Sequence, residues 1–301
     1  MTGRFAPTPS GRMHLGNAFS ALLAWLSVRS QGGTLVLRME DLDRQRTSDA
    51  FAQQLRRDLT WLGLDWDRET EPQSRRTASY DEAFRCLEHL TYPCYCTRSR
   101  LHSVDAPHAD GSAYVYDGRC RNLTAEQRAA FHRDPSWRIL VPDQDIALTD
   151  GLQGPYRENL LRDCGDFILR RADGVYVYQL AVVVDDGAAG VTEVVRGRDL
   201  LSSTPRQLYL QSLLGLPHPQ YYHVPMMLAP DGRRLSKRDG DLDLEALSHR
   251  FSPESLIGHL AHWAGLLPRP QAITARELVS GFSWQRVQRE DIRVRPAIFN
   301  H

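Results

Sequence analysis

The sequence has no excess of charge of either sign: 37 Lys and Arg balance 37 Asp and Glu, for a formal net charge of zero. The total therefore does not announce a nucleic-acid partner, as a strongly basic chain would. It leaves room for a local basic face, and Arg119-Cys120-Arg121 and Arg233-Arg234 are the patches that could supply one. No apolar run reaches the roughly 18 residues that a membrane span needs, and nothing resembles a secretory signal. A cytoplasmic protein with no membrane contact is expected. Cysteine is scarce as well. Five in 301 residues, an odd number, argue against a secreted disulfide framework. What is there is ordinary for a globular chain, 42% hydrophobic and 25% charged residues, enough for a real core in one or two domains.

Two stretches organise the rest. Arg4 to Asn17 reads R-F-A-P-T-P-S-G-R-M-H-L-G-N, and Arg233 to Arg238 reads R-R-L-S-K-R. Arg4-Phe5-Ala6 suits a short buried strand, which Pro7 and Pro9 stop and Ser10-Gly11 turns. His14-Leu15-Gly16-Asn17 then opens a helix from Ala18 to Ser30, with Asn17 as the expected N-cap. A glycine-bearing turn from strand to helix suits a nucleotide, because backbone and helix dipole both favour phosphate. His14 offers a donor that can follow charge building on a phosphate, and Lys237 offers a mobile cation. Either stretch alone is weak: a lone turn histidine is more often structural, and a lone S-K-R is usually a solvated loop.

Along the chain, Thr34 to Met39 reads as a second parallel strand ending in Glu40-Asp41-Leu42-Asp43. Carboxylates at such an edge face the ligand crevice, although Asp43 is better explained as a cap of the next helix. Ser48 caps a helix whose core face is Phe51, Leu55, Leu59 and Leu62. Ser79-Tyr80-Asp81-Glu82 reads as a capping box, with Cys86 a small buried residue of the helix it starts. Thr124-Ala125-Glu126-Gln127 starts another capped helix, and Asp134 to Asp163 reads as loops and short strands. Phe167 to Arg171 and Val175 to Leu180 flank Ala172-Asp173-Gly174 as a hairpin. Val182-Val183-Val184 and Val191 to Val195 look like strands returning to the main sheet, so Tyr178 and Arg196 are expected on strands. Thr204-Pro205 and Ser252-Pro253 start helices with a cap and Pro at the first position. Leu256, Leu260, Trp263 and Leu267 share a face of the second, which Gly265 breaks. The box Thr274-Ala275-Arg276-Glu277 opens the last element.

Cys94, Cys96 and Cys120 can hold a zinc ion as thiolates, leaving one tetrahedral corner open. Tyr116, Tyr114, His102, His108 or water could fill it, and chemistry alone favours a histidine. The competing reading is three reduced cysteines with no metal.

His14-Leu15-Gly16-Asn17 and Arg234-Leu235-Ser236-Lys237-Arg238 resemble the HIGH and KMSKS signatures of class I aminoacyl-tRNA synthetases. More narrowly, the first stretch, L-R-M-E-D-L-D (37–43), W-L-G-L-D-W-D (61–67), V-V-D-D-G (183–187), V-V-R-G-R-D-L-L (194–201) and T-P-R-Q-L-Y-L (204–210) resemble the glutamyl-tRNA synthetases, over roughly residues 3–265. Two signature positions depart, Asn17 and Arg234. The resemblance implies an α/β fold: a Rossmann-like parallel sheet from residues 1–90 and 180–240, an inserted zinc-bearing α+β subdomain at 91–179, and a short helical segment at 241–301. It implies ATP at His14, Gly16, Asn17, Arg234, Ser236 and Lys237, with His14 and Lys237 catalytic. It implies glutamate at Arg4, Phe5, Ala6, Pro7, Thr8, Ser10, Glu40, Tyr178 and Arg196, with Glu40 on the ammonium group. A guanidinium suits the side-chain carboxylate and rejects glutamine's amide. Val182 stands where relatives carry Asn four residues after the tyrosine, so the pocket lacks a polar contact. The relatives' C-x-C with Y-x-x-x-C selects Tyr116 as fourth ligand of a single structural zinc.

With residues 238–301 following Lys237, no anticodon-reading domain like that of a full glutamyl-tRNA synthetase is expected. This pattern resembles the glutamyl-queuosine tRNA(Asp) synthetases. The expected reaction is activation of L-glutamate by ATP and Mg²⁺ to glutamyl-adenylate, then transfer to queuosine in the anticodon of tRNA(Asp), by a monomer. The alternatives are a truncated synthetase charging tRNA 3′ ends, a catalytically silent tRNA- or partner-binding relative, and a small-molecule nucleotidyltransferase.

Overall fold

The computed structural model describes residues 1–97, 115–233, 235 and 243–294. Arg234, Ser236 and Lys237 lie outside these residues, as do His102, His108 and Tyr114. In chain order the first half gives β1 (Thr2–Phe5), α1 (Leu15–Ser30), β2 (Thr34–Leu37), α2 (Asp49–Trp61) and β3 (Arg68–Glu69). Next come α3 (Thr77–Leu87), β4 (Thr91–Cys94), α4 (Ala125–Ala129), β5 (Ser136–Ile139), β6 (Asp145–Asp150), β7 (Gly154–Asn159) and β8 (Phe167–Arg170). The chain then forms α5 (Tyr178–Ala189), β9 (Glu193–Gly197), α6 (Thr204–Leu213) and β10 (Gln220–Val224). It closes with β11 (Met227–Leu228), α7 (Leu244–Ser248), α8 (Pro253–Trp263), α9 (Ala275–Leu278) and β12 (Ile292–Arg293).

Five strands pair in the order β10-β9-β1-β2-β3, all parallel. The first half of the chain builds one side of β1 and the second half builds the other. Strand order therefore reverses between β1 and β9, the switch point where open parallel sheets bind ligands beyond their C-terminal ends. Between the halves lie an antiparallel sheet, β4-β5-β8, and the β6-β7 hairpin. The expected α/β class with an α+β insertion is what the chain forms.

Helix α1 is the spine. Eleven of its sixteen residues are buried, around its whole circumference, so it needs cover on both faces. Strands β1, β2 and β9 cover one face, and α8 and α9 cover the other. The C-terminal segment finishes the cover: Trp284 stacks on Tyr222 at 4.3 Å and donates to Ser27 Oγ at 3.0 Å.

Several local expectations are corrected. The N-cap of α1 is His14, and Asn17 sits three residues inside. Helix α3 begins at Thr77 with no side-chain cap, one turn's start ahead of the Ser79 box; Arg76, just before it, is held by Asp185 at 2.6 Å. Cys86 is exposed, because Tyr80, Ala83, Phe84 and Leu87 form the buried face. The hairpin after β8 turns at Asp173-Gly174, but its second strand shrinks to a bridge between Arg170 and Tyr176. Val182-Val183-Val184 are helical, within α5, and Tyr178 is that helix's first residue. The helix penalty of a β-branched residue is a few tenths of a kcal/mol; burial of Val182 and Val183 outweighs it. Residue 203, not Thr204, is the N-cap of α6, since the Thr204 hydroxyl is engaged by Arg196 at 2.8 Å. Ser48, not Asp43, caps α2; Asp43 instead accepts from Gln45 N–H within its own turn. The Thr274–Glu277 box forms, but it opens only the four-residue α9.

Candidate active site and metal centre

The turn after β1 runs along the switch point. Pro7 O accepts from Glu40 N–H at 3.0 Å, which brings the end of β1 beside the carboxylate that follows β2. Ser10 N–H closes the turn on Thr8 O at 2.8 Å. Phe5 and Ala6 are half-buried, Pro7 is buried and Thr8 exposed. His14 then caps α1 in a reciprocal box: Nδ1 accepts from Asn17 N–H at 3.4 Å, and Asn17 Oδ1 accepts from His14 N–H at 3.2 Å. That bond puts the neutral ring's proton on Nε2. His14 is solvent-accessible yet crowded by protein, and this desolvation lowers its pKa against the pull of Asp199. The ring thus presents a neutral N–H donor at a helix N-terminus, where phosphate is favoured. Gly16 permits the pose: a Cβ there would sit 3.2 Å from the His14 ring.

Behind this turn lies a row of buried charges. Arg38 is fully buried; it donates to Asp186 at 2.6 Å and to Glu40 at 3.2 Å. Asp186 also lies 3.6 Å from Arg4 Nε, while Arg4 Nη1 donates to Val195 O at 3.0 Å. Arg4 Nε has no hydrogen-bond partner among the described residues. Asp185 accepts from Gln73, Arg76 and Tyr80 at 2.6–2.9 Å. Burial raises the pKa of Glu40, and Arg38 and Arg4 offset part of that.

A second cluster forms where β9, α5, α6 and β10 meet. Arg196 Nη1 donates to the Tyr178 hydroxyl at 3.2 Å, and Nη2 donates to Thr204 Oγ1 at 2.8 Å. Its Nε donates to His223 Nε2 at 3.0 Å. Burial comes first in raising the Tyr178 pKa, and Arg196, Glu40 and Arg4 all act on that hydroxyl, so the two clusters lie within electrostatic reach of each other. Val182 follows Tyr178 by one helical turn and is buried, which supplies no polar group there.

The cysteines lie on a different sheet. Cys94, Cys96 and Cys120 are buried with their sulfurs within 4.8 Å of one another. Cys96 and Cys120 sulfurs are 3.8 Å apart, and the Tyr116 hydroxyl is 3.6 Å from Cys94 Sγ and 4.0 Å from Cys96 Sγ. Zn–S bonds of about 2.3 Å set tetrahedral edges of about 3.8 Å, so three sulfurs and one phenol oxygen fit such an ion. Arg138, wholly buried, lies 3.7 Å over the Tyr116 ring and donates to Cys94 Sγ at 3.2 Å. Burial opposes ionisation of Cys94, but Arg138 and local hydrogen bonds lower its pKa. Cys96 is pushed up to about 12 by burial and by Cys94, the opposition of stacked thiolates that a cation would relieve. Gly165, at φ 71°, lets the backbone of Tyr116 approach; a Cβ would fall 2.6 Å from Tyr116 O.

Residue reasoning missed Arg38, Asp185, Asp186, His223 and Asp150. The first three fall inside the stretches 37–43 and 183–187, but only their neighbours were given roles. His223 and Asp150 carry no local signal, since they meet only through tertiary pairing of β10 with the β6-β7 turn.

A parallel sheet ordered β3-β2-β1-β9-β10, with a histidine N-cap on the helix after β1, matches the catalytic domain of class I tRNA synthetases. The family model "tRNA synthetases class I (E and Q), catalytic domain" matches residues 1–257. The glutamyl-Q tRNA(Asp) synthetase of Symbiobacterium thermophilum is 47% identical over 312 residues, covering 98% of this chain and 96% of that protein. That of Nocardia farcinica is 47% identical over 295 residues, covering 96% and 91%. Among solved structures, a glutamate tRNA ligase from Elizabethkingia meningosepticum, in complex with its amino acid, matches with a TM-score of 0.82 at 26% identity, over 97% of this chain and 66% of that one. The chain belongs to the glutamyl-Q tRNA(Asp) synthetase family of class I tRNA synthetases. Among the described residues, no helix is long and apolar enough to cross a membrane.

Proposed function

We propose that the chain activates L-glutamate with ATP and transfers it to queuosine in the anticodon of tRNA(Asp). The observation that supports the reading is the network of charges in a chain of this family: Arg196 bonds Tyr178, while Arg4 and Glu40 are linked through Asp186 and Arg38. Arg196 and Arg4 supply the guanidinium groups for the side-chain carboxylate. Glu40 receives the ammonium group. Phe5, Ala6, Pro7, Thr8 and Ser10 line the turn that holds the substrate's backbone end. The α-carboxylate attacks the α-phosphate of ATP, which enters as its Mg²⁺ complex, and pyrophosphate leaves. His14 Nε2–H, with Lys237 and Ser236 from beyond the described residues, stabilises charge on the phosphates. Gly16, Asn17 and Arg234 complete the ATP site.

Cys94, Cys96, Cys120 and Tyr116 hold a structural zinc, which when bound ties β4 to the segment around residues 116–120. We further assign residues 1–90 and 180–240 to the catalytic domain, 91–179 to the insertion and 241–301 to a helical stem-contact segment. The chain acts as a monomer in the cytoplasm, where its tRNA is. Pyrophosphate exchange into ATP tests the first half-reaction. Exchange should depend on glutamate and not on glutamine; exchange supported equally by both would overturn the pocket assignment.

A further inference from the structure

The side chain of His223 is completely buried between an acid and a cation. Its Nδ1 lies 2.6 Å from Asp150 Oδ2, and its Nε2 lies 3.0 Å from Arg196 Nε. The tautomer follows from chemistry. The Nε–H of arginine can only donate, so Nε2 must be the lone pair, the ring proton must sit on Nδ1, and Nδ1–H must donate to Asp150. Asp150 is itself fixed, because Oδ1 accepts from the N–H groups of Leu152, Gln153 and His223 at 3.0, 2.8 and 3.2 Å. A rigid line therefore runs from the β6-β7 turn to the guanidinium.

We propose that Asp150 and His223 are positioning residues for glutamate recognition: Asp150 fixes the Nδ1–H tautomer of His223, and the unprotonated Nε2, which also lies 3.3 Å from Thr204 Oγ1, then orients the Arg196 fork toward the substrate. The inference rests on the reading of Arg196 as partner of the substrate's side-chain carboxylate. With Nε anchored on His223 and Nη2 on Thr204, the Nη1 edge is the part of the fork left facing Tyr178 and the ligand. Burial and the nearby charges of Arg196 and Arg4 keep the imidazole neutral, as the acceptor role requires. The line acts through Arg196, the residue that His223 Nε2 contacts.

The test is pyrophosphate exchange with glutamate and ATP varied separately, on the full chain. Asp150→Asn keeps the side-chain volume but can turn an amide N–H toward Nδ1. The ring then flips tautomer and sets Nε2–H against Arg196 Nε–H, the wrong-tautomer effect known for catalytic triads. KM for glutamate should rise about tenfold or more, while KM for ATP holds. His223→Asn, too short to reach Arg196, should give the same rise. His223→Gln places a carbonyl near the Nε2 position and should recover most of the loss. If Asp150→Asn and His223→Asn leave the glutamate KM alone while Arg196→Ala raises it, the inference fails and the pocket reading stands. If Arg196→Ala also changes nothing, the pocket reading itself fails. Equal rises in both KM values, with no recovery in His223→Gln, mean a merely structural role and overturn the proposal. Should His223→Asn not fold, the nearly isosteric Asp150→Asn decides alone.

Discussion

Arg38 Nη1 and Asp186 Oδ1 meet at 2.6 Å with the arginine wholly buried, and this contact joins the residue after β2 to helix α5. Through it the two proposed ligand-binding charges are tied together, Arg4 on Asp186 and Glu40 on Arg38. Removing one member of a buried, hydrogen-bonded ion group strands the others. Arg38→Met should therefore destabilise the fold by about 3–5 kcal/mol, read from urea unfolding. Arg38→Lys should also destabilise and raise the glutamate KM, because a point charge cannot span Glu40 and Asp186 as a planar fork does. A stable Arg38→Met protein with unchanged KM would contradict the network's role.

His14 has two jobs that one substitution separates. Asparagine is a good N-cap, so His14→Asn should keep the thermal midpoint close to that of the parent. It loses the Nε2–H donor, and kcat for pyrophosphate exchange should fall about a hundredfold. A parallel fall in the midpoint and kcat would mean that the histidine serves only as a cap.

The metal centre predicts a composition as well as a stability. Elemental analysis of protein purified without chelator should find one zinc per chain, and Cys120→Ser should lose it. Tyr116→Phe, which removes the proposed fourth ligand, should bind zinc more weakly. Stripping the metal should lower the thermal midpoint, since ligand binding to the native state is folding free energy. Full stability and no bound zinc in fresh protein would favour three plain thiols.

Acid should weaken the fold through His223. Its pKa falls from 6.5 to about 4, because of burial and despite Asp150. The folded value is below the unfolded one, so between these pH values the unfolded chain takes up a proton that the native chain refuses. Stability is complete above pH 6.5 and is lost as pH falls toward 4, by about 3 kcal/mol in all. The groups facing the ring are Asp150 from β6, Arg196 from β9, Arg4 from β1 and the stacked Tyr221 of β10; the Asp150 carboxyl lies below its ordinary range. Urea unfolding at pH 7 and at pH 5 should show the loss in the parent and a smaller one in His223→Gln.

What could be read from the sequence was what is local. The strand, turn and helix around His14 follow from prolines, glycine and the apolar run after residue 17, although the cap is His14 and not Asn17. The boxes at Thr124 and Thr274 form, each threonine accepting from the backbone N–H three residues on. The Thr204 cap did not, because Arg196 takes its hydroxyl. The valines at 182–184 misled for a related reason: β-propensity is weaker than the burial and ion pairs that hold α5. Asp150, 73 residues from His223, could not be linked to it by any spacing.

The most direct measurement of the central claim is transfer of labelled glutamate, with ATP and Mg²⁺, to two samples of tRNA(Asp), one bearing queuosine and one bearing guanosine at the wobble position. Label should appear on the queuosine sample alone. Equal label on both would contradict the account and make the chain a synthetase that charges 3′ ends.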